Sequence, residues 1–166
     1  WKYFAPAYEG RACIRLLQRD PDLDGIGRDL DEGVRLDPGF YRVRFLRFYL
    51  MLQKKDHLRA LAEVNELIRL RPRLASIHLA RGYIRRRFLN DIPGAFADFR
   101  AAMKHDPECL LAYVNVAILL NATGKTDEAI REFNRALLIN DRYALAYYHR
   151  ASVLRQAKRP DEALAD

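Results

Sequence analysis

Cysteine is scarce: the chain has two, Cys13 and Cys109, far apart and without metal-type or redox-type spacing. That pattern favours reduced thiols and an intracellular, cytoplasmic setting. Serine is equally scarce, and neither Ser76 nor Ser152 sits in a glycine elbow, so a serine-hydrolase arrangement lacks support. The four histidines, His57, His78, His105 and His149, are dispersed without metal-ligand spacing or an H-E-x-x-H pattern, and are expected at the surface or in a groove. No run approaches the roughly 18 apolar residues that a membrane span needs. The best, Leu110 to Ala122, is short and carries Asn115 and Asn121. An initiating methionine and a signal peptide are also lacking, and the chain stops inside an apparent helix, so a piece of something longer is expected. No catalytic centre emerges from these residues, and neither a cofactor nor a metal is expected.

What the chain has in excess is arginine. The formal charge of +7 is concentrated in residues 41–100, where Arg42, Arg44 and Arg47 form one cluster and Arg69, Arg71, Arg73, Arg81, Arg85, Arg86 and Arg87 another. Guanidinium forks suit carboxylate or phosphate, so an acidic protein surface and a nucleic-acid backbone both fit as partners, and a solvated helix face fits as well.

The second feature is self-similarity. Turn signals fall at Asp37-Pro38, Arg71-Pro72, Asp106-Pro107 and Asn140-Asp141, spaced 34, 35 and 34 residues apart by the second member of each pair. Proline cannot continue a helix interior and restricts the residue before it, so these pairs are sensible stops. Between stops, apolar residues follow helical spacing twice, as in Tyr113, Val116, Ala117 and Leu120, then Gly124, then Ala129, Phe133 and Ala136. Small residues at Ala117, Ala129 and Ala136 allow close helix approach, with Ala129 expected to be wedged between two helices and Ala146 less confined. Thr126, Asp127 and Glu128 place a hydroxyl and acids where the second helix starts. Cys13 is placed on an apolar stripe with Leu16 and Leu17.

These residues resemble the tetratricopeptide repeat, whose pattern runs W-x2-L-G-x2-Y, A-x3-F, then P. The fourth unit matches best, with Ala129-x3-Phe133 and Ala136, although Asp141 replaces the closing proline. The third has Arg81-Gly82, Ala95-x3-Phe99, Ala102 and Pro107, with one extra residue near the Asn90 to Pro93 turn. The fifth gives Tyr147, Arg150-Ala151, Leu154 and Ala163. The second keeps Ala60, Val64, Leu67 and Pro72, but Arg44 and Arg47 fall in slots where the family buries apolar groups. The first is loosest, with Ile26, Leu30, Gly33 and Pro38. The resemblance covers about residues 7–166, strongly from 75 onward and weakly before 41. It implies an all-α fold, an α-solenoid of antiparallel helix hairpins wound as a right-handed superhelix of about four and a half units. The divisions are a flank at 1–6, a degenerate unit at 7–40, units at 41–74, 75–109 and 110–143, and a truncated unit at 144–166. The pentatricopeptide repeat, an RNA-binding relative, fits less well at the unit ends.

Two other patterns echo chemistry. Gly124-Lys125-Thr126 is similar to the end of a phosphate-binding loop, but Leu119 stands where the upstream glycine is needed, so a hairpin turn is expected. Asp20, Asp22, Asp24 and Gly25, followed by Asp31 and Glu32, echo a calcium loop. Gly27 and Asp31 depart from its pattern, which leaves an acidic turn capping a helix.

The family resemblance implies a non-catalytic protein-interaction scaffold that binds a peptide or helix of a partner protein in a concave groove. By that resemblance the groove is lined by the first helix of each unit, which selects Phe45, Tyr49, Leu79, Tyr83, Arg86, Asn115, Ile118, Tyr148, His149 and Arg155. The expected ligand is mildly acidic with apolar anchors, and Asn115 is expected to bond a partner's backbone. The alternatives are a nucleic-acid-binding helical repeat using the arginine-rich residues 41–100, and the recognition arm of a larger enzyme. A clamp for a partner's terminal carboxylate is disfavoured, since Leu145 and His149 stand where lysine and arginine belong.

Overall fold

The structure, a computed structural model, describes residues 4–164. Those residues form ten helices and no strand, in two compact units, Trp1–Pro72 and Arg73–Asp166. The first unit holds α1 (Ala5–Leu16), α2 (Leu23–Leu36), α3 (Tyr41–Gln53) and α4 (His57–Leu70). The second holds α5 (Ala75–Phe88), α6 (Ile92–His105), α7 (Leu110–Ala122), α8 (Thr126–Ile139), α9 (Ala144–Gln156) and α10 (Pro160–Leu164). Successive helices pair as α1 with α2, α3 with α4, α5 with α6, and α7 with α8. Contacts such as Arg81 to Asp98 and Arg85 to Gly94 converge on the turn, as an antiparallel hairpin requires. This is the all-α helical-repeat class that the periodicity predicts.

The turns explain the repeat length. The carboxylates of Asp22, Asp56 and Asp91 accept from the amides of Gly25, Arg59 and Gly94 at 2.8, 3.0 and 2.9 Å, capping α2, α4 and α6. Each such cap stabilises its helix by about 1 kcal/mol. Ahead of α4, α6, α8 and α10 the backbone turns left-handed, at Lys55, Asn90, Gly124 and Lys158; only the glycine does so without a Cβ penalty. The next amide then closes the turn: Asp56, Lys125 and Arg159 donate to the carbonyls of Met51, Leu120 and Leu154, five residues back, each at 2.9 Å. Asp91 instead donates to Arg85, six residues back. The extra residue of the third unit is absorbed there, without disturbing the cap. Thr126 does not cap α8 as expected: the N-cap is Lys125, with no side-chain bond, and the Thr126 hydroxyl donates to Asn121.

At the hairpin ends the side chains of Asp37, Asp106 and Asn140 accept from the amide two residues on, at 3.0, 3.0 and 2.9 Å. This local bond, more than the proline, makes the stop, which is why Asn140-Asp141 works without one.

In the first unit Ala12, Ile26, Leu30, Val43 and Leu50 form the core, and Gly33 lets Val43 approach. The stripe proposed for Cys13 is corrected: Leu16 packs on this core but Leu17 is 87% exposed, because α1 ends before it. In the second unit the core gathers Ala95, Phe99, Val116, Ala117, Ala129, Phe133 and Ala136. Phe99 packs against Gly82, where a Cβ would stand 2.6 Å from the ring. Ala146 is as fully buried as Ala129, so the expected contrast between them does not hold: α9 packs on α8 through that alanine. His78 is buried, not at the surface, with its ring 5.2 Å from that of His105.

Candidate partner-binding surface

The arginine-rich middle resolves into a ladder of buried acids that the sequence reading missed. Asp29, Glu63, Asp98 and Glu132 are all buried, at intervals of 34, 35 and 34 residues, each three residues after a buried small or branched residue: Ile26, Ala60, Ala95 or Ala129. Asp29 takes Arg11 and Arg15, the latter at 2.6 Å. Glu63 takes Arg44 and Arg47, each at 3.3 Å. Asp98 takes Arg81 and Arg85, at 2.6 and 2.9 Å. The fourth rung changes hands. Val116 and Leu120 leave α7 without arginine, so Glu132 draws Arg100 from α6 and Arg135 from its own helix, at 3.0 and 3.1 Å. A buried carboxylate costs several kcal/mol unless paired and hydrogen-bonded, and these pairings meet that cost. Arg44 and Arg47 thus occupy apolar slots because an acid waits opposite them. The 34-residue recurrence of acids was the signal that would have found the ladder.

The same pairing removes most of the charge from the surface. Arg42 joins Glu9, Arg69 joins Glu66, and Arg71 lies over the ring of Tyr41. Among the described residues, Arg73, Arg86 and Arg87 have no ion pair. The acidic residues around Gly25 are likewise engaged: Asp22 as a cap, Asp24 with Lys54, Asp29 with arginine, and Asp31 with Arg47. Among the described residues, no group of three or more histidine, cysteine or acidic side chains is disposed to hold a metal.

Of the ten residues selected from the sequence, two lie on α3 of the first unit. Phe45 and Tyr49 are exposed, and Phe45 stacks on Tyr41 with centroids 6.2 Å apart. The other eight lie on α5, α7 and α9 of the second unit and share repeat positions. Tyr83, Ile118 and Ser152 occupy one register, Ala80, Asn115 and His149 another, and Arg86, Asn121 and Arg155 a third. Tyr148 is 70% exposed and Tyr83 45%, the latter edge-on to Phe88. Leu79 and Ile118 are half-buried against the core. Asn115 is buried, with one N–H of its side-chain amide donating to the Leu111 carbonyl at 2.7 Å within its own helix.

His149 stacks on Phe133 at 6.4 Å and meets Tyr148 edge-on at 5.2 Å. Its imidazole is held below its ordinary pKa, first by burial and then by the positive charge of Arg86. Arg86 is half-buried, and its Nε lies out of solvent with no hydrogen-bond partner among the described residues. Arg155 is exposed and, with Tyr148, Ala151, Ser152, Pro160 and Ala163, borders a cavity of about 360 Å³.

The hairpins and their spacing define an all-α helical repeat. Residues 84–144 match the family model described as tetratricopeptide repeat, so that stretch of the chain carries the repeat. It is 28% identical over 138 residues to the DnaJ homolog subfamily C member 7 homolog of Schizosaccharomyces pombe, covering 74% of this chain and 29% of that protein. The chain therefore spans under a third of that relative. Among solved structures, a MamA protein superposes with a TM-score of 0.85 at 15% identity, over 99% of this chain and 88% of that one. MamA from Desulfovibrio magneticus gives 0.82 at 15%, over 97% and 89%. YrrB, described as a TPR protein with an unusual peptide-binding site, gives 0.74 at 16%, over 95% and 80%. At such identities the structural likenesses speak to the fold. Among the described residues no helix is long and apolar enough to cross a membrane.

Proposed function

We propose that this chain is a non-catalytic scaffold that binds a peptide or helix of a partner protein along the first helices of its hairpins, in the second unit through Tyr83, Arg86, Tyr148, His149 and Arg155. The observation that carries the reading is a division of labour among the arginines. Arg11, Arg15, Arg44, Arg47, Arg81 and Arg85 are neutralised by buried acids, whereas Arg86 and Arg155 have no ion pair among the described residues and share their helix faces with exposed aromatic rings. Aromatic area with a few unpaired guanidinium groups is the composition of interaction hot spots, and it suits a mildly acidic ligand with apolar anchors. Phe45 and Tyr49 offer the same chemistry on α3 of the first unit. The peptide-binding site of YrrB is a precedent within the fold for such a use. The free thiols of Cys13 and Cys109 accord with a reducing, cytoplasmic setting.

An affinity capture with this chain, with and without nuclease, tests the class of partner. Protein partners should survive nuclease. Capture that vanishes with it would favour nucleic acid held by residues 41–100. Against a captured protein, Tyr83→Ala with Tyr148→Ala should weaken binding by about 2 kcal/mol or more, while Lys104→Ala with Arg131→Ala, exposed on α6 and α8, should not. The reverse result would reject the first-helix face as the binding surface.

A further inference from the structure

We infer that the second-helix face of the second unit, formed by α6 and α8, docks on a bilayer surface rich in anionic phospholipid. Lys104 and Arg131 take the phosphate headgroups, Arg100 and Arg135 add a surplus of positive charge, and Leu138 enters the boundary with the acyl chains. This face is separate from the first-helix surface above, and the two assignments stand or fall independently.

The charge of the face originates in the fourth rung of the acid ladder. Asp29, Glu63 and Asp98 are paired by arginines of α1, α3 and α5, the first helices of their hairpins. Helix α7 offers Val116 and Leu120 instead, so Glu132 is met by second helices, with Arg100 of α6 and Arg135 of α8 both donating to its Oε1, at 3.0 and 3.1 Å. Two guanidinium groups on one carboxylate oxygen leave a positive charge uncompensated. That charge is turned outward, because the Glu132 side chain is buried while those of Arg100 and Arg135 are 41% and 59% exposed. The shared carboxylate also draws the outer stripes of α6 and α8 into one surface.

Two further cations extend it. Lys104 lies one turn beyond Arg100, and Arg131 one turn before Arg135; both are exposed, and neither has an ion pair among the described residues. The acids of the two helices do not offset them. Asp98 is buried with Arg81 and Arg85, Asp127 is paired with Arg159, and Glu128 with Lys125. The exposed Asp106, Glu108 and Asp141 lie in the turns that follow α6 and α8, where His105 and Arg142 accompany them.

Phosphate is the anion that such a cluster fits, and a bilayer and a nucleic acid both present it. Two observations favour the bilayer. Leu138 is 87% exposed and stands three residues after Arg135 and seven after Arg131, so it shares their stripe, with the exposed Ile139 next to it. An apolar side chain among cations is received by the boundary between headgroups and acyl chains. Single-stranded nucleic acid instead stacks its bases on open aromatic rings, and α6 and α8 offer none: Phe99 and Phe133 are buried, and Phe96 lies under the Arg100 guanidinium at 5.3 Å. Each cation held near an anionic membrane strengthens attachment about fivefold, so the docking is reversible and sensitive to salt.

The test is cosedimentation of this chain with vesicles of phosphatidylcholine containing about one-third phosphatidylserine, and with vesicles of phosphatidylcholine alone, up to about 5 mM lipid so that weak attachment registers. The chain should attach to the anionic vesicles, not to the neutral ones, and should be released between about 50 and 300 mM salt. Lys104→Ala with Arg131→Ala should lower the attachment about tenfold or more. Leu138→Ser should lower it about fivefold at unchanged charge. Arg73→Ala with Arg87→Ala, which removes the same charge from exposed positions off this face, should lower it less than about threefold. Circular dichroism establishes that each variant folds. No attachment to anionic vesicles, or equal attachment to neutral ones, would overturn the assignment. Equal losses in the two charge pairs would also overturn it, by showing that the overall charge of the chain and not this face attracts the lipid. Leu138→Ser attaching as wild type would do the same, and polyuridylate binding that depends on Lys104 and Arg131 would then give the face to nucleic acid. Loss of a protein partner in Tyr83→Ala with Tyr148→Ala bears on the first-helix surface alone.

Discussion

The rung at Asp98 gives a quantitative test of how the repeats are held. Asp98 is 2% exposed and accepts from Arg81 through Nε and the terminal nitrogen at 3.0 and 2.6 Å, and from Arg85 at 2.9 Å. Asp98→Asn keeps the volume and one acceptor but removes the buried charge that two guanidinium groups share, at side-chain exposures of 20% and 24%, leaving Arg85 its longer pairing with Asp91 at 3.4 Å. Removing one member of a buried ion cluster costs about 3–5 kcal/mol, and the partial access of both arginines to water places this one near 3 kcal/mol. The assay is a denaturant titration followed by circular dichroism, with amide exchange in α5 and α6 to locate the loss. The triple change Asp98→Leu, Arg81→Met and Arg85→Met should recover most of the deficit, because packed apolar groups replace a buried ion cluster at little net cost. A loss under about 1 kcal/mol for Asp98→Asn would mean that the acid ladder is incidental and that apolar packing alone holds the hairpins.

Gly82→Ala should destabilise by about 1–3 kcal/mol, since its Cβ would stand 2.6 Å from the Phe99 ring; an unchanged unfolding midpoint would show that the ring shifts freely. Ala129→Leu and Ala146→Leu should cost similar amounts in the same assay, each roughly 1–3 kcal/mol, because both sites are fully buried. A clearly smaller loss at Ala146 would place α9 more loosely than described.

The hairpins could be read in the sequence because the residues that set them are local. A left-handed turn residue, an aspartate cap and an Asx stop each act within six residues and recur with the period. The small residues at Ala129 and Ala136 could be read for the same reason, as a stripe on one helix. The acid ladder escaped because its logic is not local: Asp98 makes sense only with Arg81 and Arg85, 17 and 13 residues earlier. Counted separately, those residues look like surface charge. Ala146 escaped similarly, since its burial depends on the neighbouring hairpin.

The candidate surface divides along the same line. Exposure of Tyr83 and Tyr148 follows from their register on a first helix, and a one-dimensional pattern conveys register well. Whether a polar side chain on that face is available depends instead on what it has already bonded. Asn115 was selected to bond a partner's backbone and has one of its two amide N–H groups engaged by Leu111. Arg81 and Arg86 sit five residues apart on one helix with identical chemistry, yet one is fixed to Asp98, and the other has no ion pair among the described residues. A repeat protein that builds its core with arginine can therefore vary its surface by deleting a single acid or shifting one arginine by a turn. The fourth rung shows that rearrangement, since α7 carries no arginine and Glu132 is served from α6 and α8. In this chain, arginines with no buried acid to hold them are the ones available to a partner, and identifying them requires the pairings as well as the period.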